Sequence, residues 1–257
     1  MIVAENLKVE VFPTRDAMGR AAASHVREEL LSILERQQKA RVVFAAAPSQ
    51  NEFLASLVSI PDIPWERIEA FHMDEYIGVA RDSPQSFGQF LRIHLFDRVA
   101  FGRVEFIDPS VRDPEGECVR YARLLAERPV DLICLGIGEN GHIAFNDPPV
   151  ADFSDPLPLK IVELDGPCRA QQVHDGSFAH IEHVPRFAIT LTVPTLFAAR
   201  KLSAVVPGPR KAHAVYETVK GPLSTACPAS ILRKHPSARL YLDFDSAALL
   251  QASDTDL

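Results

Sequence analysis

At 257 residues, with 47% hydrophobic and 24% charged side chains, the chain has the composition of a globular protein with a large core, which excludes disordered and fibrous classes. A formal net charge of −7 leaves no basic footprint and argues against a nucleic-acid partner. The opening MIVAENLKVEVFPTRD lacks a basic-then-apolar leader, and no stretch approaches the roughly 18 uninterrupted apolar residues of a membrane span, so a cytoplasmic protein without a membrane partner is expected.

After the turn-like FPTRD, Met18, Ala22, Val26, Leu30 and Ile33/Leu34 recur at helical spacing and predict an amphipathic helix over residues 14–38. Buried strands are then predicted at RVVFAAA, IEAFHM, VEFI, VDLICLG, LKIVEL, FAITLTV, KLSAVVP and ARLYLDF. Helical patterns fall between most of them, at residues 86–99, 114–127, 194–200 and 210–220. Strands alternating with helices predict an α/β fold: a doubly wound, mostly parallel sheet with helices on both faces. One domain covering residues 1–257 is expected, with a C-terminal tail from about residue 246. Cys118, Cys134, Cys168 and Cys227 form no C-x-x-C pair and read as reduced thiols.

In an open parallel sheet, ligands sit beyond the carboxyl ends of the strands, which directs attention to the loops after IEAFHM and VDLICLG. The second, LGIGENGHIAFNDPP, matches Gly-x-Gly-x-x-Gly at Gly136, Gly138 and Gly141. A dinucleotide site needs the third glycine to open a helix whose free N–H groups hold the pyrophosphate. Residues 146–158 contain Pro148, Pro149, Pro156 and Pro158 and no helical period, so the crossover helix that would position Asp165 as a ribose ligand is missing. The segment reads instead as an irregular cover beside a glycine-rich turn leading into His142, with Asn140 and Asp147 close in sequence. Histidine is the side chain best suited to moving protons near neutral pH, and a neighbouring carboxylate can orient it. The first loop, FHMDEYIG, places adjacent Asp74 and Glu75 at a strand end; their side chains should point to opposite faces, so at most one enters a shared pocket. Asp74 with His142 would supply two acid/base groups on different strand ends, as a proton-moving enzyme requires.

FHMDEYIGV with SPQSF, LGIGENGHIAFNDP, FAITLTVPTL and VVPGPRKAHAVYETVKGP together resemble, in order, the motifs of the glucosamine-6-phosphate deaminase/isomerase family, relatives of the 6-phosphogluconolactonases. The resemblance spans most of the chain. It implies a modified doubly wound α/β fold and conversion of glucosamine 6-phosphate and water to fructose 6-phosphate and ammonia, with no metal or redox cofactor. It assigns Asp74 as the base shuttling a proton between C2 and C1, His142 as the ring-opening acid/base, and Asn140 and Asp147 as the partners that orient the histidine. Asp147 is one methylene shorter than the family's usual glutamate.

The phosphate end departs from the family pattern. AAPSQNEF replaces a T-G-[GS]-T-P loop, with Pro48 removing a donor and Ser49 and Gln50 aligned with the phosphate contacts. Gln172 stands near the expected arginine, Arg169 lies one helical turn away, Lys211 matches the phosphate lysine, and Gly138 completes the substrate-binding set. Two alternatives stand beside this reading: an isomerase or lactonase acting on a different sugar or sugar acid, and a non-catalytic sugar-phosphate sensor. Against a sensor, the first core helix begins too early to leave room for a DNA-binding helix-turn-helix. The expected partner is a small sugar or sugar phosphate, and a homo-oligomer is left open. His174, His180 and His183 match no zinc spacing, His72 reads as strand packing or pocket wall, and Tyr76 as wall.

Overall fold

In a computed structural model the backbone of residues 2–253 is described. The chain begins with a hairpin, β1 (Ile2–Ala4) and β2 (Leu7–Phe12), followed by α1 (Arg15–Arg36), β3 (Ala40–Phe44), α2 (Asn51–Val58) and β4 (Ile68–His72). It continues through β5 (Asp74–Tyr76), α3 (Phe87–Leu91), β6 (Arg103–Val104), α4 (Pro114–Ala126), β7 (Leu132–Leu135), β8 (Leu159–Glu163) and α5 (Gly166–His174). The remainder is β9 (Phe187–Leu191), α6 (Val193–Phe197), β10 (Lys201–Val206), α7 (Ala212–Val219), β11 (Ala238–Asp243) and α8 (Ala248–Ser253).

Eight strands form one sheet in the order β1-β2-β11-β10-β7-β3-β4-β6, antiparallel only at the β1–β2 edge. Its central strands are apolar on both faces because helices cover both. On one side Val42 and Phe44 of β3 meet Met18, Val26 and Leu30 of α1 and Leu54 and Leu57 of α2. On the other, Val43 and Ile133 face Tyr121 and Leu125 of α4 and Val215 and Val219 of α7. Thr14 caps α1 by accepting the Ala17 N–H, 3.1 Å, which satisfies one of the donors a helix start leaves orphaned. Gly19 lets α2 approach α1 closely, since a Cβ there would lie 2.7 Å from the Glu52 carbonyl carbon.

β3 leads outward to β4 and β6 on one side, whereas β7, β10 and β11 lie on the other, so the chain reverses its winding between β3 and β7. A crevice opens beyond the strand ends at such a switch point. Above it stands a second sheet, antiparallel β5-β9-β8, whose pairing of Asp74 with Thr190 fixes where Asp74 sits.

Seven of the eight predicted strands are present, VEFI is a strand only at Val104, and no helix opens directly at Gly141. Six elements were not anticipated, counting α8 in the expected tail. β1, β2 and β5 are short or half-exposed, and α2 was hidden in the divergent loop. α5 is polar and opens on Gly-Pro, so it lacks the apolar period that reveals most helices. The helix expected over 86–99 is α3 followed by a π-helical turn, Arg92–Phe96. The expected tail from about residue 246 needs correction over its first part: Ala247 and Leu250 are buried in the core, and α8 occupies 248–253.

Candidate active site

Four strand ends build one cavity. The turn after β3 supplies Ala45, Ala46, Ala47, Pro48 and Ser49, and the β4–β5 junction supplies Met73 and Asp74. The turn after β7 supplies Gly136, Ile137, Gly138 and His142, while Lys211 comes from the turn after β10. Phe87 of α3 and Gln171, Gln172, Asp175 and Ser177, on or just after α5, close the remaining side.

Asp74 enters this cavity and Glu75 turns away, as strand alternation requires. Glu75 is fully buried and accepts four hydrogen bonds, from the Ser86 hydroxyl at 2.7 Å and the N–H groups of Gly88, Phe87 and Tyr76 at 2.9, 3.1 and 2.9 Å. It thereby anchors the start of α3, which carries Phe87 to the cavity wall. Burial pushes the Glu75 carboxyl up to about 6 despite those donors. Asp74 has no hydrogen-bond donor to its carboxylate among the described residues; burial, followed by the charges of Glu75 and Asp147, holds it well above the usual aspartate range. A carboxylate without donors is poorly solvated and correspondingly basic.

The glycine-rich turn is shaped around an imidazole. A Cβ on Gly138 would fall 2.2 Å from His142 Cε1, so the ring lies directly against that glycine, and Gly141 adopts φ +85°, a conformation glycine takes readily. The Gly138 N–H donates to the His142 carbonyl, 2.9 Å, closing the turn. Behind the ring, His142 Nδ1 lies 2.8 Å from Asp147 Oδ1, and that same oxygen accepts Asn140 Nδ2–H at 2.8 Å. Asn140 Oδ1 accepts the His142 N–H, 3.1 Å. The shorter aspartate therefore reaches the histidine. Burial opposes the Asp147 anion, but the charge and hydrogen bond of His142, then Asn140 and Cys168, outweigh it and lower its pKa. With Nδ1–H donated to a carboxylate, Nε2 is left as the proton acceptor.

At the opposite end, Lys211 is 7% exposed, and its ammonium has no hydrogen bond or ion pair among the described residues. Burial and then Arg210 lower its pKa, opposed by Asp175 and Glu139. Ser49 lines the cavity, whereas Gln50 lies behind it, donating to the Val205 carbonyl and to Ser49 Oγ, both at 3.1 Å. Gln172 faces the cavity with its Oε1 held by the buried Tyr76 hydroxyl, 2.7 Å. Arg169 does not line it; its guanidinium donates to the carbonyls of Ile181 and Val184, at 2.7 and 3.1 Å. Thus Asp74, His142, Gly138, Ser49, Gln172 and Lys211 are brought together, Asn140 and Asp147 stand behind the histidine, and Gln50 and Arg169 lie outside the lining.

His72 is strand packing, its Nε2 accepting the Ile107 N–H, 2.8 Å, while burial depresses it to about 3. Among the described residues, no cluster of metal-ligand type contains His174, His180 or His183. Sequence reasoning missed Gln171, Asp175 and Phe87. Gln171 Oε1 accepts the Glu139 N–H, 2.8 Å, tying α5 to the His142 turn, but a polar helix docked through amides carries no periodic signal.

The signature of the family described as glucosamine-6-phosphate isomerases/6-phosphogluconolactonase matches residues 13–149. A glucosamine-6-phosphate deaminase of Listeria innocua is 35% identical over 205 residues, covering 80% of this chain and 86% of the relative. One from Lactobacillus delbrueckii subsp. bulgaricus is 32% identical over 231 residues, 89% and 97% of the two chains. Among solved structures, a monomeric glucosamine-6-phosphate deaminase of the NagB superfamily superposes with a TM-score of 0.87 at 25% identity, over 94% of this chain and 99% of that one. The 6-phosphogluconolactonase of Thermotoga maritima shares the fold at a TM-score of 0.75 and 22% identity, over 92% and 99%.

Proposed function

The chain belongs to the glucosamine-6-phosphate isomerase/6-phosphogluconolactonase family, and from that premise we propose that it is a glucosamine-6-phosphate deaminase, turning glucosamine 6-phosphate and water into fructose 6-phosphate and ammonia. One observation carries the reading: a donor-free carboxylate, Asp74, and a carboxylate-backed imidazole, His142, line the same cavity.

His142, with Nε2 free to accept, moves a proton between the anomeric hydroxyl and the ring oxygen and so opens the sugar. Asp74 then removes the proton on C2, made acidic by the neighbouring aldehyde, and returns it to C1, while one proton of the C2 ammonium passes to the former aldehyde oxygen and makes it a hydroxyl. Nitrogen is left on a C2 iminium, to which water adds before ammonia departs, giving the ketone. Asp147 balances the positive charge His142 gains while it carries a proton, and Asn140 holds both partners in register. Lys211, Ser49 and the Gln172 amide bind the phosphate end. No metal or redox group is needed by this scheme. Four free thiols and the absence, among the described residues, of any helix long and apolar enough to cross a membrane are compatible with a cytoplasmic enzyme.

The test is ammonia release from glucosamine 6-phosphate by purified protein, run beside 6-phosphogluconolactone hydrolysis. We expect the first and not the second, and Asp74→Asn should lower turnover by orders of magnitude while leaving substrate binding largely intact. Lactone hydrolysis without ammonia release would overturn the reading.

A further inference from the structure

Behind the cavity wall, three different ligand groups converge. His142, Asp147 and Cys168 offer an imidazole nitrogen, a carboxylate oxygen and a sulfur, all within 4.8 Å of one another, and all three residues are buried. The cysteine comes from α5, which the Gln171–Glu139 hydrogen bond ties to the turn bearing the histidine. Cys168 Sγ lies within 4.8 Å of both the Asp147 oxygen and the imidazole nitrogen, so the three side chains form one contiguous group.

This donor set is selective. Nitrogen, oxygen and sulfur from three residues, with one position left for water, is the arrangement zinc takes in open sites, whereas magnesium and calcium prefer oxygen ligands alone. Tetrahedral zinc with bonds of about 2.0–2.3 Å holds its ligands roughly 3.3–3.8 Å apart. The 2.8 Å Nδ1–Oδ1 pair must therefore open slightly and the widest pair, at most 4.8 Å, must close by about 1 Å. Rotation of the Cys168 side chain about χ1 can supply that movement.

We propose that His142, Asp147 and Cys168 form a binding site for a thiophilic divalent cation, zinc above all, whose occupancy reversibly inhibits the enzyme. On binding, the thiol loses its proton and sulfur bonds the metal, releasing one proton per ion. The imidazole stays neutral, but its proton moves from Nδ1 to Nε2 as Nδ1 takes the metal. Nε2 then faces the cavity as a donor and can no longer accept a proton, so ring opening stops. Metal binding stands independently of the proposed reaction; only its inhibitory consequence rests on that reading.

The experiment titrates the full chain, kept reduced, with Co2+ and with Zn2+ while recording the absorption spectrum, proton release and ammonia production. We expect one ion per chain, one proton released, a sulfur-to-cobalt charge-transfer band, and zinc inhibition reversed by a chelator. Cys168→Ser should abolish the band and weaken zinc inhibition by about tenfold or more while keeping most of the metal-free turnover, and Cys118→Ser should change none of these. A band that survives Cys168→Ser, or zinc inhibition equal in wild type and Cys168→Ser, would overturn the site. Should the protein release no ammonia at all, the spectra and proton count still decide whether the metal binds, so failure of the site and failure of the deaminase reading are separable.

Discussion

Replacing Asp147 with Asn removes one charge and almost no volume. In the native arrangement a single oxygen, Asp147 Oδ1, accepts from both Asn140 and His142 at 2.8 Å. An asparagine oxygen can still accept both, so the variant should keep the turn and the histidine tautomer while losing the negative charge behind the ring. A hydrogen bond to a charged partner is worth about 1.5–3 kcal/mol, and about 1.4 kcal/mol corresponds to a factor of ten in rate. If the aspartate charge acts when His142 carries a proton, turnover should fall roughly 10- to 150-fold with KM little changed. Steady-state ammonia release gives both parameters, and a thermal melt checks that the fold survives. Turnover within about twofold of wild type would mean that Asp147 only supports the turn and that its charge takes no part in ring opening.

Four further outcomes follow from the same geometry. Asp74 must be ionised to accept a proton, and burial with Glu75 and Asp147 raises its pKa, so kcat/KM should fall as pH drops through a range above that of an ordinary aspartate; an acidic limb at about 4 would refute this. Glu75→Gln sets an amide NH2 against two of the four donors that the carboxylate accepts, and should cost about 1–3 kcal/mol in denaturant unfolding at pH 7 although it removes a buried charge; equal or greater stability would contradict the anchoring role. Gly138→Ala drives a methyl into the His142 ring and should cut turnover sharply with a smaller effect on melting; unchanged turnover would show that the ring position is not critical. Lys211→Ala should raise KM for glucosamine 6-phosphate and flatten its dependence on salt, as loss of the one unpaired buried ammonium in the lining requires; tight binding that persists in high salt would place phosphate recognition elsewhere.

The sheet was legible because its central strands are buried on both faces and therefore read as unbroken apolar runs such as RVVF and LICL. The catalytic candidates were legible for a related reason: chemistry sits where those runs end, and Asp74 and His142 stand in the loops that follow two of them. The closing side of the cavity was not. α5 docks through Gln171 and Gln172 rather than through an apolar stripe, so nothing in its spacing announces it, and the proximity of Cys168 to Asp147 exists only once that helix is in place.

The same helix carries both Gln172, which stands near the expected arginine, and Arg169, and it holds Arg169 outside the cavity lining. Although one turn apart, the two side chains take different partners: Gln172 accepts from the Tyr76 hydroxyl at the cavity, while Arg169 donates to the carbonyls of Ile181 and Val184. Tyr76 decides what Gln172 can offer. Because its hydroxyl occupies the carboxamide oxygen at 2.7 Å, the group Gln172 has left to present to a ligand is its NH2, a donor. In the proposed phosphate site the position would thus keep an arginine's ability to donate and give up its charge, with Lys211 supplying the cation. If Lys211 and these neutral donors bind the substrate's anionic end as proposed, its affinity should be more responsive to ionic strength than that of a site built on a bidentate guanidinium.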